Sequence, residues 1–425
     1  MQGYGKAPYG VPMSPIERDA QPADSERPIW RSAVAVVQTL RIAGHEAVFA
    51  GGCVRDQVLG DTPYDYDIAT SATPDEVIAL FERTVPVGAA FGVVRVLRGE
   101  HEFEVATFRT EGGYSDGRRP DSVQWASARD DVLRRDFTIN GLLFDPLEGE
   151  GAVIDHVGGL EDLRAGVIRA IGEADERFEE DKLRLLRAVR FAARFAFSIE
   201  ADTWTAICKR ADEIIEVSVE RIRDELERMG TQSAVEPGFR LLERSGLWRS
   251  VLPEVEPTDS LFDRMGSAER LSPVATWTLM CSELAPRDAR GVCQRMKLSS
   301  ATGRHVEEAV EILRALPTYD ALDVVAKKRL IRRPEAHTAL EIATLGSGAA
   351  AMDGLASAQR DERGWSREDL HPETLVTGAE LIAAGRSPGP SFKRALEAVE
   401  DAQLRGEFLS RESALELALR HLDEP

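Results

Sequence analysis

Residues 51–70, GGCVRDQVLGDTPYDYDIAT, decide the fold of the first half of the chain, because they join two apolar strands through a glycine turn and a short helix. Residues 47–50 (AVFA) are predicted as the first strand, and residues 54–59 as the helix. Gly51 and Gly52 let a phosphate chain approach the backbone N–H groups of such a turn. Arg55 adds a guanidinium that can bind phosphate. A tight turn with a structural arginine is the alternative that this motif leaves open.

Two aspartates lie near the end of the same stretch of sequence. Residues 65–70 are predicted as a strand, and residues two apart on a strand point to the same side, so Asp65 and Asp67 emerge together. Two neighbouring carboxylates repel each other, and a divalent cation is the simplest way to keep both ionised. A solvated Asp-x-Asp loop is the alternative.

A third acid lies on a later strand. Residues 93–97 and 103–108 are predicted to form a hairpin, and Glu104 lies between the apolar residues Phe103 and Val105. If this strand neighbours that of Asp65 and Asp67, the three carboxylates form a cluster that can hold two metal ions. Glu102 lies on the same strand face and could be mistaken for the ligand. The alternative is an exposed strand face that carries charge.

The composition is that of a globular protein. The chain has 425 residues, 43% of them hydrophobic, and a formal charge of −20, and its length predicts about two to four compact units. The acidic balance argues against a protein that coats nucleic acid through its overall charge, so a polyanion site must be a local basic patch. No apolar run approaches the roughly 20 residues that cross a bilayer. The four cysteines lack metal-binding spacing, and we expect a cytoplasmic protein.

Strand signals fade beyond Glu173, and helical periodicity predicts that the rest of the chain is all α. In a helix predicted over residues 179–190, charged residues recur at every third position: Asp181, Arg184, Arg187 and Arg190. An aspartate accepts hydrogen bonds and an arginine donates them. One Asp–Arg pair can therefore accept the Watson–Crick edges of cytosine and adenine and reject those of uracil and guanine. An ordinary ion pair on a solvated helix face is the alternative.

These motifs, together with RRDFTIN at residues 134–140, resemble the class II tRNA nucleotidyltransferases, which comprise the CCA-adding enzymes and the bacterial poly(A) polymerases. The likeness covers residues 47–229 and returns more weakly at residues 378–407. It implies an α+β fold with a polymerase-β-like nucleotidyltransferase head and an all-α neck, body and tail. The expected parts are a disordered leader (1–28), the head (29–172), a neck with the nucleotide-reading helix (173–232), a helical body (233–310) and a helical tail that binds RNA (311–425).

The resemblance also implies roles for single residues. Asp65 and Asp67 would bind two magnesium ions (Mg2+), with Glu104 as the third carboxylate. The nucleotide would be bound by residues of three motifs: Gly52 and Arg55 for the phosphates, Arg135 and Asn140 near the sugar, Asp181 and Arg184 for the base, and Arg187 and Arg190 for the rest of the pocket. Residues 111–119 would form the flexible segment that helps the change from C to A addition. Gly141 stands where the family usually has alanine, and we expect it to loosen its helix slightly.

The implied activity is template-independent addition of CCA to the 3′ end of tRNA from CTP and ATP. The tRNA 3′-hydroxyl, deprotonated on one metal ion, would attack the α-phosphate in line, and pyrophosphate would leave. The sequence indicates no membrane and no protein partner. A poly(A) polymerase and a CC-adding or A-adding tRNA enzyme are the nearest alternatives, and residues 87–92 resemble the tRNA-enzyme form. A catalytically dead nucleotide-binding protein would have lost carboxylates that this chain retains.

Overall fold

A computed structural model of the chain describes residues 27–88, 91–112, 122–149, 151–232, 235–346, 354–407 and 410–423. The predicted leader therefore lies almost wholly outside the described residues, as do residues 113–119 of the predicted flexible segment and residues 89 and 90. The chain forms two compact units, Met1–Ile222 with Leu241–Val251, and Arg223–Arg240 with Leu252–Pro425. The first unit contains both the predicted head and most of the predicted neck, and the five-part division stays a prediction.

All the strands of the described residues belong to the first unit. In chain order they are β1 (Ala47–Ala50), β2 (Ile68–Thr70), β3 (Thr84–Gly88), β4 (Val93–Arg98), β5 (His101–Thr107), β6 (Arg109–Gly112), β7 (Ser122–Trp125), β8 (Leu142–Asp145), β9 (Ala152–Asp155), β10 (Val167–Ile168) and β11 (Ser198–Ile199). Seven of them form one sheet in the order β3-β4-β5-β2-β1-β8-β9, and β6 with β7 and β10 with β11 form two small sheets.

Helices precede, connect and follow these strands. The first helices in chain order are α1 (Pro28–Ile42), α2 (Gly52–Val58), α3 (Pro74–Leu80), α4 (Ala128–Leu133), α5 (Gly159–Ala165), α6 (Ala174–Glu180), α7 (Leu183–Phe195), α8 (Ala201–Arg210) and α9 (Val219–Gln232). They are followed by α10 (Val235–Arg244), α11 (Leu247–Val251), α12 (Asp259–Gly266), α13 (Pro273–Met280), α14 (Pro286–Arg295), α15 (Ser300–Ala315) and α16 (Val324–Ile331). The last are α17 (Ala336–Ala343), α18 (Leu355–Gly364), α19 (Arg367–Leu370), α20 (Gly378–Ala383), α21 (Pro390–Leu404) and α22 (Arg411–Asp423). Of these helices in the described part of the chain, none has both the length and the apolar character of a membrane span.

The pairing of the central strands confirms the predicted neighbourhood of the acidic motifs. β2 runs parallel to β5 with Ile68 opposite Val105, and antiparallel to β1. The predicted strand β1 and the predicted hairpin of β4 and β5 are confirmed. The strand predicted over residues 65–70 is shorter than expected, because only Ile68–Thr70 carries ladder pairs. Asp65 and Asp67 therefore lie in the segment that leads into β2.

An aromatic cluster fixes the direction of this acidic segment. Tyr66 is 1% exposed, and its ring packs against Trp30 of α1 and Phe49 of β1 with centroid distances of 5.4 and 5.2 Å. Because neighbouring residues of an extended chain point to opposite sides, Asp65 and Asp67 point away from this cluster. Both aspartates are exposed.

The prediction of one continuous helix over residues 179–190 is wrong. α6 ends at Glu180, Asp181 has an extended backbone (φ −145°, ψ 102°), and α7 begins at Leu183. The carboxylate of Asp181 accepts the backbone N–H of Leu183 at 3.0 Å, which competes with a helical backbone at this point. The all-α prediction beyond residue 173 also has an exception, because β11 pairs with β10.

Gly141 does not loosen a helix, contrary to the sequence-based expectation. It is buried and ends the short 3₁₀ turn Thr138–Asn140. A Cβ atom on Gly141 would lie 2.7 Å from Cγ2 of Val157, with Val132 and Ile171 at 3.1 and 3.2 Å. The space that an alanine methyl group would need is thus filled by side chains.

We expect Gly141→Ala to lower the stability of the first unit by about 1–3 kcal/mol, because the added methyl group overpacks the contact with Val157. Thermal unfolding followed by circular dichroism measures the change in midpoint. The double variant Gly141→Ala/Val157→Ala should regain part of the loss, and Val157→Ala alone is the control. An equal or higher midpoint for Gly141→Ala would show that the packing tolerates the methyl group.

Candidate active site

The structure places the three predicted carboxylates on neighbouring segments of the sheet. Asp67 directly precedes β2, and Glu104 directly precedes Val105, the residue of β5 that pairs with the first residue of β2. Asp67 is exposed as a residue, but the protein around its carboxylate group desolvates that group. This desolvation, then the charges of Asp65 and Glu104, raise the pKa of Asp67 to about 6. Glu102 instead forms an ion pair with Arg95 at 2.9 Å. Glu104, and not Glu102, therefore shares its electrostatic field with the two aspartates.

These carboxylates suit a divalent cation by their chemistry. Within the described parts of the chain, no three His, Cys, Asp or Glu side chains are already gathered as a metal-binding group. Carboxylate oxygens are nonetheless the ligands that Mg²⁺ prefers. The pKa of Asp67 is raised by desolvation first and by the charges of Asp65 and Glu104 second, and a bound cation would offset both effects. Asp65, Asp67 and Glu104 are the residues that would hold it.

The glycine turn lies against an arginine. Gly51 has φ +77°, and a Cβ atom there would lie 2.8 Å from Nη1 of Arg135. Glycine is thus required both by the backbone conformation and by the close guanidinium. The Gly51 N–H donates to the carbonyl of Leu142 at 3.0 Å, which ties the turn to β8. Arg135 also lowers the pKa of Asp67, so its positive charge lies between the turn and the carboxylates.

Arg55 is buried and engaged within the protein. Its Nε and Nη2 donate to Oδ1 of Asp56 at 2.8 and 2.6 Å, and its Nη1 donates to Oδ1 of Asn140 at 2.5 Å. Burial lowers the pKa of Arg55, and Asp56 opposes this effect. The side chain is 4% exposed. These contacts give Arg55 a structural part in holding Asn140 behind the glycine turn.

Asp136 is a buried acid that the sequence analysis did not single out. It accepts hydrogen bonds from Nδ2 of Asn140 at 2.9 Å and from Nε and Nη2 of Arg187 at 2.8 and 2.6 Å. Burial would raise the pKa of Asp136, but Arg187 and Asn140 lower it to about 2. Asp136 therefore stays ionised and joins Asn140 to α7. Its position within RRDFTIN, next to the apolar Phe137, is the signal that could have identified it.

The two predicted base-reading residues are held by different partners. Asp181 accepts from Nη1 and Nη2 of Arg221 at 3.1 and 2.7 Å. Arg184 donates to Glu180 at 2.6 Å and to the carbonyl of Arg134 at 3.2 Å. Arg221 lies 40 residues from Asp181, and no local pattern in the sequence indicated it. The two side chains therefore have separate partners, and a backbone hydrogen bond from the Arg184 N–H to the Asp181 carbonyl, at 3.0 Å, joins the two residues.

The remaining predicted pocket residues lie on α7. Arg190 is 4% exposed, and its guanidinium lies 4.1 Å from the centroid of the Phe191 ring. Arg187 binds Asp136 and lies 5.2 Å from the same ring. The arginines of α7 therefore form one face with Phe191, beside the segment that carries Asn140.

A second buried acid, Asp131, orients the RRD motif. It binds Arg134 at 2.7 Å and Arg135 at 3.0 Å, and accepts the backbone N–H of Arg109 at 3.3 Å. Arg109 begins β6, the strand that leads into the predicted flexible segment. Asp131 thus connects the base of the β6–β7 ribbon to the arginine beside the glycine turn.

Three family models match successive parts of the chain. They are described as "Poly A polymerase head domain" for residues 47–169, "Probable RNA and SrmB- binding site of polymerase A" for residues 196–258 and "tRNA nucleotidyltransferase domain 2 putative" for residues 272–418. A solved structure, that of the Bacillus stearothermophilus CCA-adding enzyme in complex with CTP, has a TM-score of 0.77 and 29% identity and covers 93% of this chain and 98% of its own. The Thermotoga maritima CCA-adding enzyme, at 22% identity and a TM-score of 0.64, shares the fold.

Relatives of high sequence similarity span nearly the whole chain. The CCA-adding enzyme of Lactiplantibacillus plantarum is 36% identical over 396 residues, which are 91% of this chain and 95% of the relative. The CCA-adding enzyme of Geobacillus stearothermophilus is 35% identical and covers 90% of this chain and 94% of its own length. These matches confirm the resemblance and the polymerase-β-like head with a helical remainder. The chain belongs to the family of the CCA-adding enzymes, which are nucleotidyltransferases.

Proposed function

We propose that this protein adds C, C and A in turn to the 3′ end of tRNA from CTP and ATP, without a nucleic-acid template and with release of pyrophosphate. The chain is 36% identical to a CCA-adding enzyme over nearly its whole length. The observation that carries the proposal is that it also contains the glycine turn, the three carboxylates, and the Asp–Arg residues of α7 and its N-terminal flank. The free state of the four cysteines, three of them buried, supports a cytoplasmic location, where thiols stay reduced.

The glycine turn and Arg135 would bind the phosphates of the incoming nucleotide. Gly52 allows the phosphates to approach the backbone, and Arg135 offers a guanidinium beside Gly51. Arg55 and Asn140 support this arrangement from within, since Nη1 of Arg135 donates to the carbonyl of Asn140 at 3.4 Å and Arg55 holds the Asn140 side chain. The phosphate-binding surface is therefore preorganised by buried hydrogen bonds, which lowers the cost of reorganisation during the reaction.

Asp65, Asp67 and Glu104 would hold Mg²⁺ next to this phosphate site. When bound, Mg²⁺ supplies charge neutralisation at the phosphates and lowers the pKa of an attacking hydroxyl group. The chain itself contributes the position of the three carboxylates and the nearby positive charge of Arg135. Positioning and electrostatic stabilisation account for most of the catalysis in phosphoryl transfer.

Asp181 and Arg184 would read the base, with Arg187 and Arg190 completing the pocket. A carboxylate that accepts and a guanidinium that donates match the edges of cytosine and adenine and leave unpaired groups against uracil and guanine. In this structure the Asp181 carboxylate is paired with Arg221, and the Arg184 guanidinium is paired with Glu180. A base would therefore have to share or exchange these contacts, and Arg221 would position the carboxylate that it faces.

The first test is addition to a tRNA transcript that ends at the discriminator base. With CTP and ATP together we expect CCA and then a stop, resolved on a sequencing gel. Addition of adenosine without limit would support the poly(A) polymerase alternative, and CC alone or A alone would support the partial enzymes. No incorporation of any nucleotide with magnesium would contradict every one of these activities.

The second test separates Glu104 from its neighbour on the same strand face. We expect Asp67→Asn and Glu104→Gln each to lower kcat by about 100-fold or more, because each removes a charge that neighbours the reacting phosphates. Glu102→Gln should stay near the wild-type rate, because Glu102 pairs with Arg95. Single-turnover CTP incorporation at saturating magnesium is the measurement. Equal losses for the two glutamate variants would refute the assignment of Glu104.

The third test addresses base selection. Asp181→Ala and Arg221→Gln should each lower the preference for CTP over UTP by roughly 10-fold or more, because both variants leave the edge of cytosine without a fixed acceptor. Arg223→Gln is the matched control, since Arg223 also lies on α9 but binds Asp224. The ratio of kcat/KM for the two nucleotides is the measurement. Full selectivity in Asp181→Ala would exclude this residue as the base reader.

A further inference from the structure

Helix α7 carries Arg184, Arg187 and Arg190, and two separate contacts join it to the segments around the glycine turn. The first contact is the bidentate ion pair of Arg187 with Asp136, at 2.8 and 2.6 Å. It lies near the N-terminal part of α7. Arg184 adds a hydrogen bond to the carbonyl of Arg134 at 3.2 Å in the same part of the helix.

The second contact lies at the C-terminal end of α7. The ring of Phe195 has the guanidinium of Arg55 at 4.7 Å from its centroid and that of Arg194 at 4.8 Å. Arg55 and Arg194 also share Asp56, with Arg55 on Oδ1 at 2.6 Å and Arg194 on Oδ2 at 3.4 Å. Two residues of α2 and two of α7 thus form one charged and aromatic cluster.

The two contacts belong to one closed circuit. Arg55 donates to Asn140, and Asn140 donates to Asp136, which binds Arg187. The circuit therefore runs from α2 through the RRDFTIN segment to α7, and returns to α2 through Phe195. A closed circuit of this kind has fewer ways to deform than either contact alone, because a shift at one end strains the bonds at the other.

Distances along α7 indicate how far a shift at its C-terminal end would move Arg184. Arg187 and Phe195 are eight residues apart, or about 12 Å at 1.5 Å per residue, and Arg184 lies about 4.5 Å on the other side of Arg187. If the C-terminal end shifted by about 1 Å with Arg187 as the pivot, Arg184 would shift by about 0.4 Å. Misplacement of a positioning group by about 1 Å can lower the reaction rate about 100-fold. A shift of Arg184 by about 0.4 Å would therefore lower the rate several-fold.

We propose that Arg194 and Phe195, through Asp56 and Arg55, are positioning residues for base selection. They hold α7 at its C-terminal end and thereby keep the Arg184 side chain correctly oriented toward the nucleotide bound at the glycine turn. The inference rests on the proposed function, because it concerns the same site. Arg194 and Phe195 touch neither the base nor the phosphates in this scheme, and act only through the orientation of α7.

The test compares variants that loosen the second contact without emptying a core. Arg194 is 32% exposed, so Arg194→Ala should fold, and Phe195→Leu keeps an apolar side chain but removes the ring face. We expect both variants to lower the CTP-over-UTP ratio of kcat/KM by about five- to tenfold on a tRNA that ends at the discriminator base, because kcat/KM falls for CTP and changes little for UTP, whose edge Arg184 does not match. Arg194→Lys keeps the charge opposite Asp56 and should recover part of the ratio. Arg164→Ala, at an exposed position of α5, is the control and should match the wild type.

Thermal midpoints of all variants accompany the kinetics and separate positioning from simple structural support. Unchanged selectivity in both Arg194→Ala and Phe195→Leu would overturn the inference while leaving the proposed function intact. Loss of kcat in step with the thermal midpoint, at constant selectivity, would also overturn it, because the cluster would then be only a structural support. A wild-type protein that adds no nucleotide would overturn the proposed function, and the inference with it.

Discussion

The pairing of β2 with β5 is the constraint on which the candidate active site depends. The parallel pairing of β2 with β5 brings the carboxylates together, and the burial of Tyr66 among Trp30 and Phe49 keeps the aspartates facing away from the core. Desolvation, and after it the charges of Asp65 and Glu104, raise the pKa of Asp67. Carboxylates placed in this way favour the binding of cations, and with them of the phosphates that cations accompany.

Around these carboxylates the protein uses buried ion pairs to hold its arginines in defined orientations. Arg55, Arg135 and Arg187 each have a buried or partly buried carboxylate partner: Asp56, Asp131 and Asp136. Such pairs add little net stability, since desolvation offsets much of the attraction, but removal of one partner leaves a costly buried charge. Here these ion pairs fix orientations, because their hydrogen bonds hold the guanidinium groups and the Asn140 side chain in place relative to the glycine turn.

Local sequence patterns predicted the elements whose contacts are short in the chain. The glycine pair and the flanking apolar residues correctly placed β1, and the alternation of apolar and polar residues correctly placed the hairpin of β4 and β5. The same patterns failed at Asp181, where the three-residue spacing of charges continues across a break between α6 and α7. They failed again at Gly141, because the pattern carries no information on Val157, which fills the space beside it.

The sequence by itself determined the family, the α+β class and the chemical types of the site residues, because these follow from residues close together in the chain and from motif order. Only the tertiary structure decided which charged and polar side chains pair with one another. Arg55 meets Asn140 across 85 residues, Arg187 meets Asp136 across 51, and Arg221 meets Asp181 across 40. Several arginines and carboxylates could satisfy one another equally well by charge alone. The packing of α2 against β1 and β8, and of α7 against β10 and β11, selects among them, since hydrogen bonds require a distance and a direction that charge does not specify.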